Sequence, residues 1–148
     1  MNKYFKANPL FTVFLFPIVV DVIGTVLGQP KEYWISHYQI INEAAPVWPL
    51  LKIHPLLFIV ATFALWLPFT YLLTKKLKHP LNLWAALSLL VGHSYNSVAW
   101  VRINQKRWGI LPGPDNSIIT LSLIPMTIYI LIIGWFATKG MLCYFKQK

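Results

Sequence analysis

The sequence predicts an all-α, polytopic membrane protein: four transmembrane helices, with an interfacial helix between the first and the second. Three observations carry that prediction. Hydrophobic residues make up 57% of the 148 and charged residues only 11%, whereas a water-facing surface usually needs about 25% charged residues. Apolar stretches of about 20 residues, the length a bilayer core demands, recur along the chain. The basic residues fall between those stretches, where they anchor helix ends and meet anionic headgroups. The net charge of +9 therefore points to a membrane surface, and nucleic acid is not an expected partner. The length suits one domain, residues 1–148.

The first span is Pro9–Leu27. Met1 to Lys6 resembles the basic start of a signal peptide, but the apolar run behind it is too long, holds Asp21 and lacks a small-residue cleavage site. A retained helix is expected. On it, Asp21, Gly24, Thr25 and Gly28 follow an i, i+3, i+4, i+7 spacing, so a small, polar face points toward protein.

The long connection after it predicts an interfacial helix over about 31–45, opened by Pro30 and Glu32. Tyr33, His37, Ile40, Ile41 and Ala44 make one stripe; Glu32, Ser36, Gln39 and Glu43 make the other. Pro46 and Pro49 then end it. The second span covers about 54–73, with a kink expected at Pro68. A short basic turn through Lys75, Lys76 and Lys78 leads to a third span over about 81–101. A Gly- and Pro-rich loop follows, closed by Asp115, Asn116 and Ser117 as capping residues for a fourth span over about 117–137, which contains Pro125.

With four spans both termini share one side. Lys3, Lys6, Lys75, Lys76, Lys78, Lys139, Lys146 and Lys148 lie there; Lys31, Lys52, Arg102, Lys106 and Arg107 lie opposite. Eight against five puts both termini in the cytoplasm by the positive-inside rule. The size and the retained basic N-terminus favour a prokaryotic inner membrane. The lone cysteine, Cys143, admits no internal disulfide and no zinc pattern.

Chemistry concentrates in two spans. An ionisable group inside hydrocarbon is costly, so Asp21 needs a partner or a purpose. In the third span His93, Asn96, Ser97 and Trp100 again share one helical face. If spans one and three adjoin, Asp21 meets His93 or Asn96, and pairing removes much of the burial cost. The ligand-binding candidates are Asp21, Thr25, Asn42, Glu43, His93 and Asn96, with Arg102 a candidate for a lipid headgroup. The bland alternative is that these groups are hydrogen-bonding glue between helices. Asp21, Glu43 and His93 would make a mixed oxygen and nitrogen set for Zn, Mn or Fe, drawn from three segments with no local spacing to mark it. His37, His54 and His79 are expected as interfacial or surface residues. HExxH, G-x-S-x-G, P-loop and GxGxxG motifs are all absent from the sequence, so no cofactor is assigned.

Asp21 in the first span, Gly28-Gln29-Pro30 with Tyr33-Trp34, Asn42-Glu43 with Pro46, and His93 together resemble a pattern in small uncharacterised prokaryotic four-span membrane proteins. Those place an aspartate in the first helix and a Glu-x-Asn-Pro-like motif before the second; Glu43-Ala44-Ala45-Pro46 lacks that Asn. The resemblance implies that Asp21 and Glu43 belong to one polar site, and it implies no activity.

The function expected is binding of a small ligand, lipid or cation in a polar intramembrane seam, in an accessory role. The alternatives are a membrane enzyme using Asp21 and His93 as acid and base, or as metal ligands, on a lipidic substrate, and a structural subunit of a larger complex. The expected partners are membrane lipids, with a partner membrane subunit or a second copy of the chain.

Overall fold

Helix α1, Pro9–Leu27, is the axis of the structure. The computed structural model describes residues 7–43, 48–107 and 116–147; of 106–107 and 116–122 it describes the backbone alone. Asn8 opens α1: its Oδ1 accepts from Phe11 N–H at 3.3 Å, and Pro9 at the first position gives up an amide that would be orphaned anyway. The other end of that side chain reaches across the bundle, its Nδ2 donating to the Tyr71 carbonyl at 3.0 Å and to Thr74 Oγ1 at 3.1 Å. Leu10, Val13, Phe14, Ile18 and Val22 of α1 are the centre of the apolar core.

After α1 come α2, Lys31–Ile35, and α3, Trp48–Ile53. The long helices follow: α4, Pro55–Lys76, α5, Leu81–Arg107, and α6, Asn116–Lys146. Asn8 at the start of α1 bonds the end of α4, so those two are antiparallel. Asp21 meets His93 and Gly24 meets Trp100, so α1 and α5 run parallel. Asn82 bonds Tyr144 while Ser97 bonds Tyr129, so α5 and α6 are antiparallel. Helix α1 thus lies in the middle, packed against α4, α5 and α6.

Small residues let α1 approach its neighbours. A Cβ on Gly24 would sit 2.7 Å from Trp100 Cβ, and one on Gly28 would overlap the Trp100 ring. Gly140 of α6 plays the same part against α1, where a Cβ would come within 2.7 Å of Val13 Cγ2.

Among the described residues three helices are long and apolar enough to cross a membrane: Pro9–Leu27, Pro55–Lys76 and Leu123–Lys146. Their mean hydropathies are 2.4, 2.1 and 1.6. The expected third span falls on α5, which has the length but not the apolarity, because His93, Ser94, Asn96 and Ser97 interrupt it. The fourth helix runs on past the expected end to Lys146.

The expected interfacial helix over 31–45 is not what the described residues form. Helix α2 stops at Ile35, and His37 and Tyr38 take φ values of 52° and 72°, in the left-handed region that ends a right-handed helix. Ser36 holds this reversal, its Oγ accepting from Gln39 N–H at 3.2 Å and Ile40 N–H at 3.1 Å. Residues 44–47, including Pro46, lie outside the described residues, as do the loop at 108–115 and the capping expectation on Asp115. Pro49 sits in the first turn of α3 instead of terminating a helix. Tyr33 ties α2 to α3, buried and donating its hydroxyl to the Leu51 carbonyl at 2.8 Å; burial first, and Tyr38 second, push its phenol up to about 12.

Helix α4 carries the expected irregularity one turn early. Residues Thr62–Trp66 widen into a π-turn in which Leu67 N–H donates to the Thr62 carbonyl five residues back. Pro68 follows at once and has no N–H to continue the ordinary ladder.

Candidate functional site

The π-turn faces a half-open cavity of about 580 Å³ lined by α1, α3, α4, α5 and the segment before α3. Its floor comes from α1, whose i, i+4 spacing brings Asp21 and Thr25 to the same wall. Helix α5 contributes His93 and Asn96, and Glu43 stands in the segment leading to α3. Leu50, Phe58, Leu65 and Phe69 supply apolar surface, with Trp66 at the edge.

Asp21 and His93 meet as the polar faces of the two helices require. Asp21 Oδ2 lies 2.7 Å from His93 Nδ1. The opposite ring nitrogen, Nε2, accepts from the indole N–H of Trp66 at 3.3 Å. An indole N–H can only donate, so Nε2 holds a lone pair, and the imidazole proton sits on Nδ1 and is donated to Asp21. The chain Trp66–His93–Asp21 thus links α4, α5 and α1 and sets the orientation of the imidazole ring.

A second linkage positions Glu43. Gln29, fully buried just beyond α1, clamps the backbone of Asn42: its Oε1 accepts from Asn42 N–H at 2.9 Å and its Nε2 donates to the Asn42 carbonyl at 3.4 Å. The same Nε2 donates to the Thr25 carbonyl at 3.0 Å. One amide therefore ties the end of α1 to the residue before Glu43.

Of the sequence candidates, Asp21, Thr25, Glu43, His93 and Asn96 line one cavity. Asn42 takes part through its backbone, and Arg102 is exposed outside the lining. The metal set is not assembled: among the described residues no three His, Cys, Asp or Glu side chains come within reach of one ion. Both nitrogens of His93 are already engaged, by Asp21 and Trp66, which removes the imidazole as a ligand in this arrangement. Elsewhere, Ser97 is buried, donating to the Ser94 carbonyl at 3.0 Å and accepting from Tyr129 at 2.6 Å. It is interhelical glue. His54 caps α4, its Nδ1 accepting from Leu56 N–H at 3.1 Å, and His79 lies 3.2 Å from the Tyr144 hydroxyl.

Sequence reasoning missed Trp66 and the structural part of Gln29. Trp66 is one of seven tryptophans, on an apolar helix, without polar spacing to single it out. Gln29 had a signal, a polar residue closing an apolar span before Pro30, but its partner lies 13 residues away.

Compared with known proteins, the chain matches no family model, no curated protein and no solved structure. Its class rests on its own features: an all-helical protein with three helices long and apolar enough to cross a membrane.

Proposed function

We propose that the protein is a four-span integral membrane protein that binds a small amphiphile in the α1/α4/α5 cavity, in a binding or accessory role. In this reading α5 is the third crossing. Its low hydropathy is tolerable because His93 and Ser97 are hydrogen-bonded to α1, α4 and α6 instead of meeting lipid. Both termini face the cytoplasm of a prokaryotic inner membrane, in keeping with the eight-to-five distribution of basic residues. Arg102 sits near the headgroups, and membrane lipids, a partner subunit or a second copy cover the exposed apolar faces.

The observation that carries the reading is the cavity itself. About 580 Å³ of mostly apolar space with a few convergent polar groups has the size and make-up of a small-molecule site. Interhelical glue alone would close around its polar groups and leave no such space. The test is native mass spectrometry of protein extracted in mild detergent, followed by lipid identification. A bound amphiphile, lost in Asp21→Asn while the fold persists by circular dichroism, is the expected result. Protein that is empty in both forms refutes it.

One observation favours a second reading, an enzyme acting on a lipidic substrate. A carboxylate holding one imidazole nitrogen at 2.7 Å is how a general base is oriented. Trp66 occupies the nitrogen that would work, so catalysis requires the indole to move aside. His93→Gln separates the readings: turnover vanishes with binding intact in an enzyme, whereas a binding protein has no turnover to lose.

A further inference from the structure

One carboxylate on the wall of this cavity, Asp21, specifies the ligand. Because Trp66 donates to His93 Nε2 at 3.3 Å, the imidazole is neutral and its one proton points at Asp21. The Asp21 carboxylate is therefore hydrogen-bonded by His93 without being neutralised. Its second oxygen meets no donor among the described residues, and Asp21 forms part of the cavity wall. Glu43 lines the same space. Among the described residues none that lines the cavity is Lys or Arg, although the chain as a whole carries a net charge of +9. A carboxylate set in largely apolar surface draws either a proton or a cation, and this cavity has room for an organic one. Phe58, Trp66 and Phe69 line it with aromatic rings, whose faces attract cations.

We propose that the ligand is an amphiphilic organic cation: an ammonium or guanidinium head donating to Asp21, with an apolar body against the aromatic side of α4. The proposal rests on the binding function above and narrows it to one charge class. A neutral amphiphile would leave the carboxylate uncompensated, and an anionic one would add a second negative charge beside it. Lys75, Lys76 and Lys78, in the turn after α4, are not among the residues that line the cavity.

The experiment is a thermal-shift titration of the whole protein in maltoside micelles at neutral pH. Octylamine, octanol and octanoate are the probes, sharing one apolar body and differing in head charge. Octylamine is expected to stabilise at concentrations about tenfold lower than octanol, with octanoate weakest. Asp21→Asn should abolish that preference and leave octylamine equal to octanol. Trp66→Phe is the second variant, for use if Asp21→Asn does not fold. It removes the indole N–H that fixes the imidazole opposite Asp21, so the carboxylate is held less firmly and the preference should shrink there too. Octanol matching octylamine in the parent protein overturns the charge assignment while the cavity still counts as a site. Absence of stabilisation by all three probes overturns the binding function as well. Octylamine preference that survives in every folded variant overturns the part given to Asp21.

Discussion

Replacing Gly24 by alanine tests whether the close approach of α1 and α5 builds the site. The added Cβ would sit 2.7 Å from Trp100 Cβ, where ordinary contact begins at 3.4 Å. Trp100 Cβ is fixed to the α5 backbone and has no rotamer that withdraws it. The helices must part there by about 0.7 Å, and overpacking of this kind costs about 1–3 kcal/mol. Gly28→Ala meets a different obstacle, because its Cβ lands on the six-membered ring of Trp100, the far end of a side chain, and also 2.8 Å from the Gly24 carbonyl oxygen, which no change at Trp100 moves. The two glycines should therefore respond differently to Trp100→Ala. That change removes the ring and keeps the Cβ, so it should partly rescue Gly28→Ala, with a coupling of about 0.5–3 kcal/mol, and leave Gly24→Ala unrelieved. Unfolding in mixed dodecyl sulfate and maltoside micelles, followed by far-ultraviolet circular dichroism, gives the four free energies of each cycle. Equal coupling in the two cycles would refute the reasoning. Gly24→Ala should also weaken the Asp21–His93 bond one turn away, which at 2.7 Å has little slack.

Two further predictions concern the connection before α3. Gln29→Leu removes all three hydrogen bonds of the amide that holds Asn42, so the Asn42 N–H should exchange with deuterium faster; stability should fall by about 1–3 kcal/mol, the usual cost of leaving buried partners unpaired. Exchange as slow as in the parent would show that something else holds the segment. Tyr33 ionises less readily in the folded protein, its phenol being pushed from the ordinary 10.0 up to about 12 by burial and by Tyr38. Its raised value means that its contribution to stability is complete below pH 10.0 and is lost as the pH climbs toward about 12. Tyr33→Phe should therefore flatten the alkaline decline in stability over that window, and matching alkaline profiles for the two proteins would contradict the assignment.

The Asp21–His93 contact was legible in sequence because apolar helices leave few places for polar groups. A carboxylate at Asp21 and an imidazole at His93 each sit on a helical face of small or polar residues, and two such faces in one bundle pair rather than meet lipid. The reversal at His37 and Tyr38 was not legible. The 3.6-residue periodicity of the segment does continue past Ile35, but the Ser36 hydroxyl competes for the amides of Gln39 and Ile40 and turns the chain instead.

The sequence by itself determined an all-helical protein with helices long and apolar enough to cross a membrane, the bounds of Pro9–Leu27 and the set of polar groups that seek burial, since burial in an apolar medium is priced residue by residue. Tertiary structure decided which groups meet. The fit of Trp100 onto Gly24 and Gly28 sets the approach of α1 to α5, and the π-turn before Pro68 brings Trp66 to His93. The amide of Gln29 carries Glu43 to the same cavity. These depend on rotation and distance between helices, which periodicity along one chain does not encode.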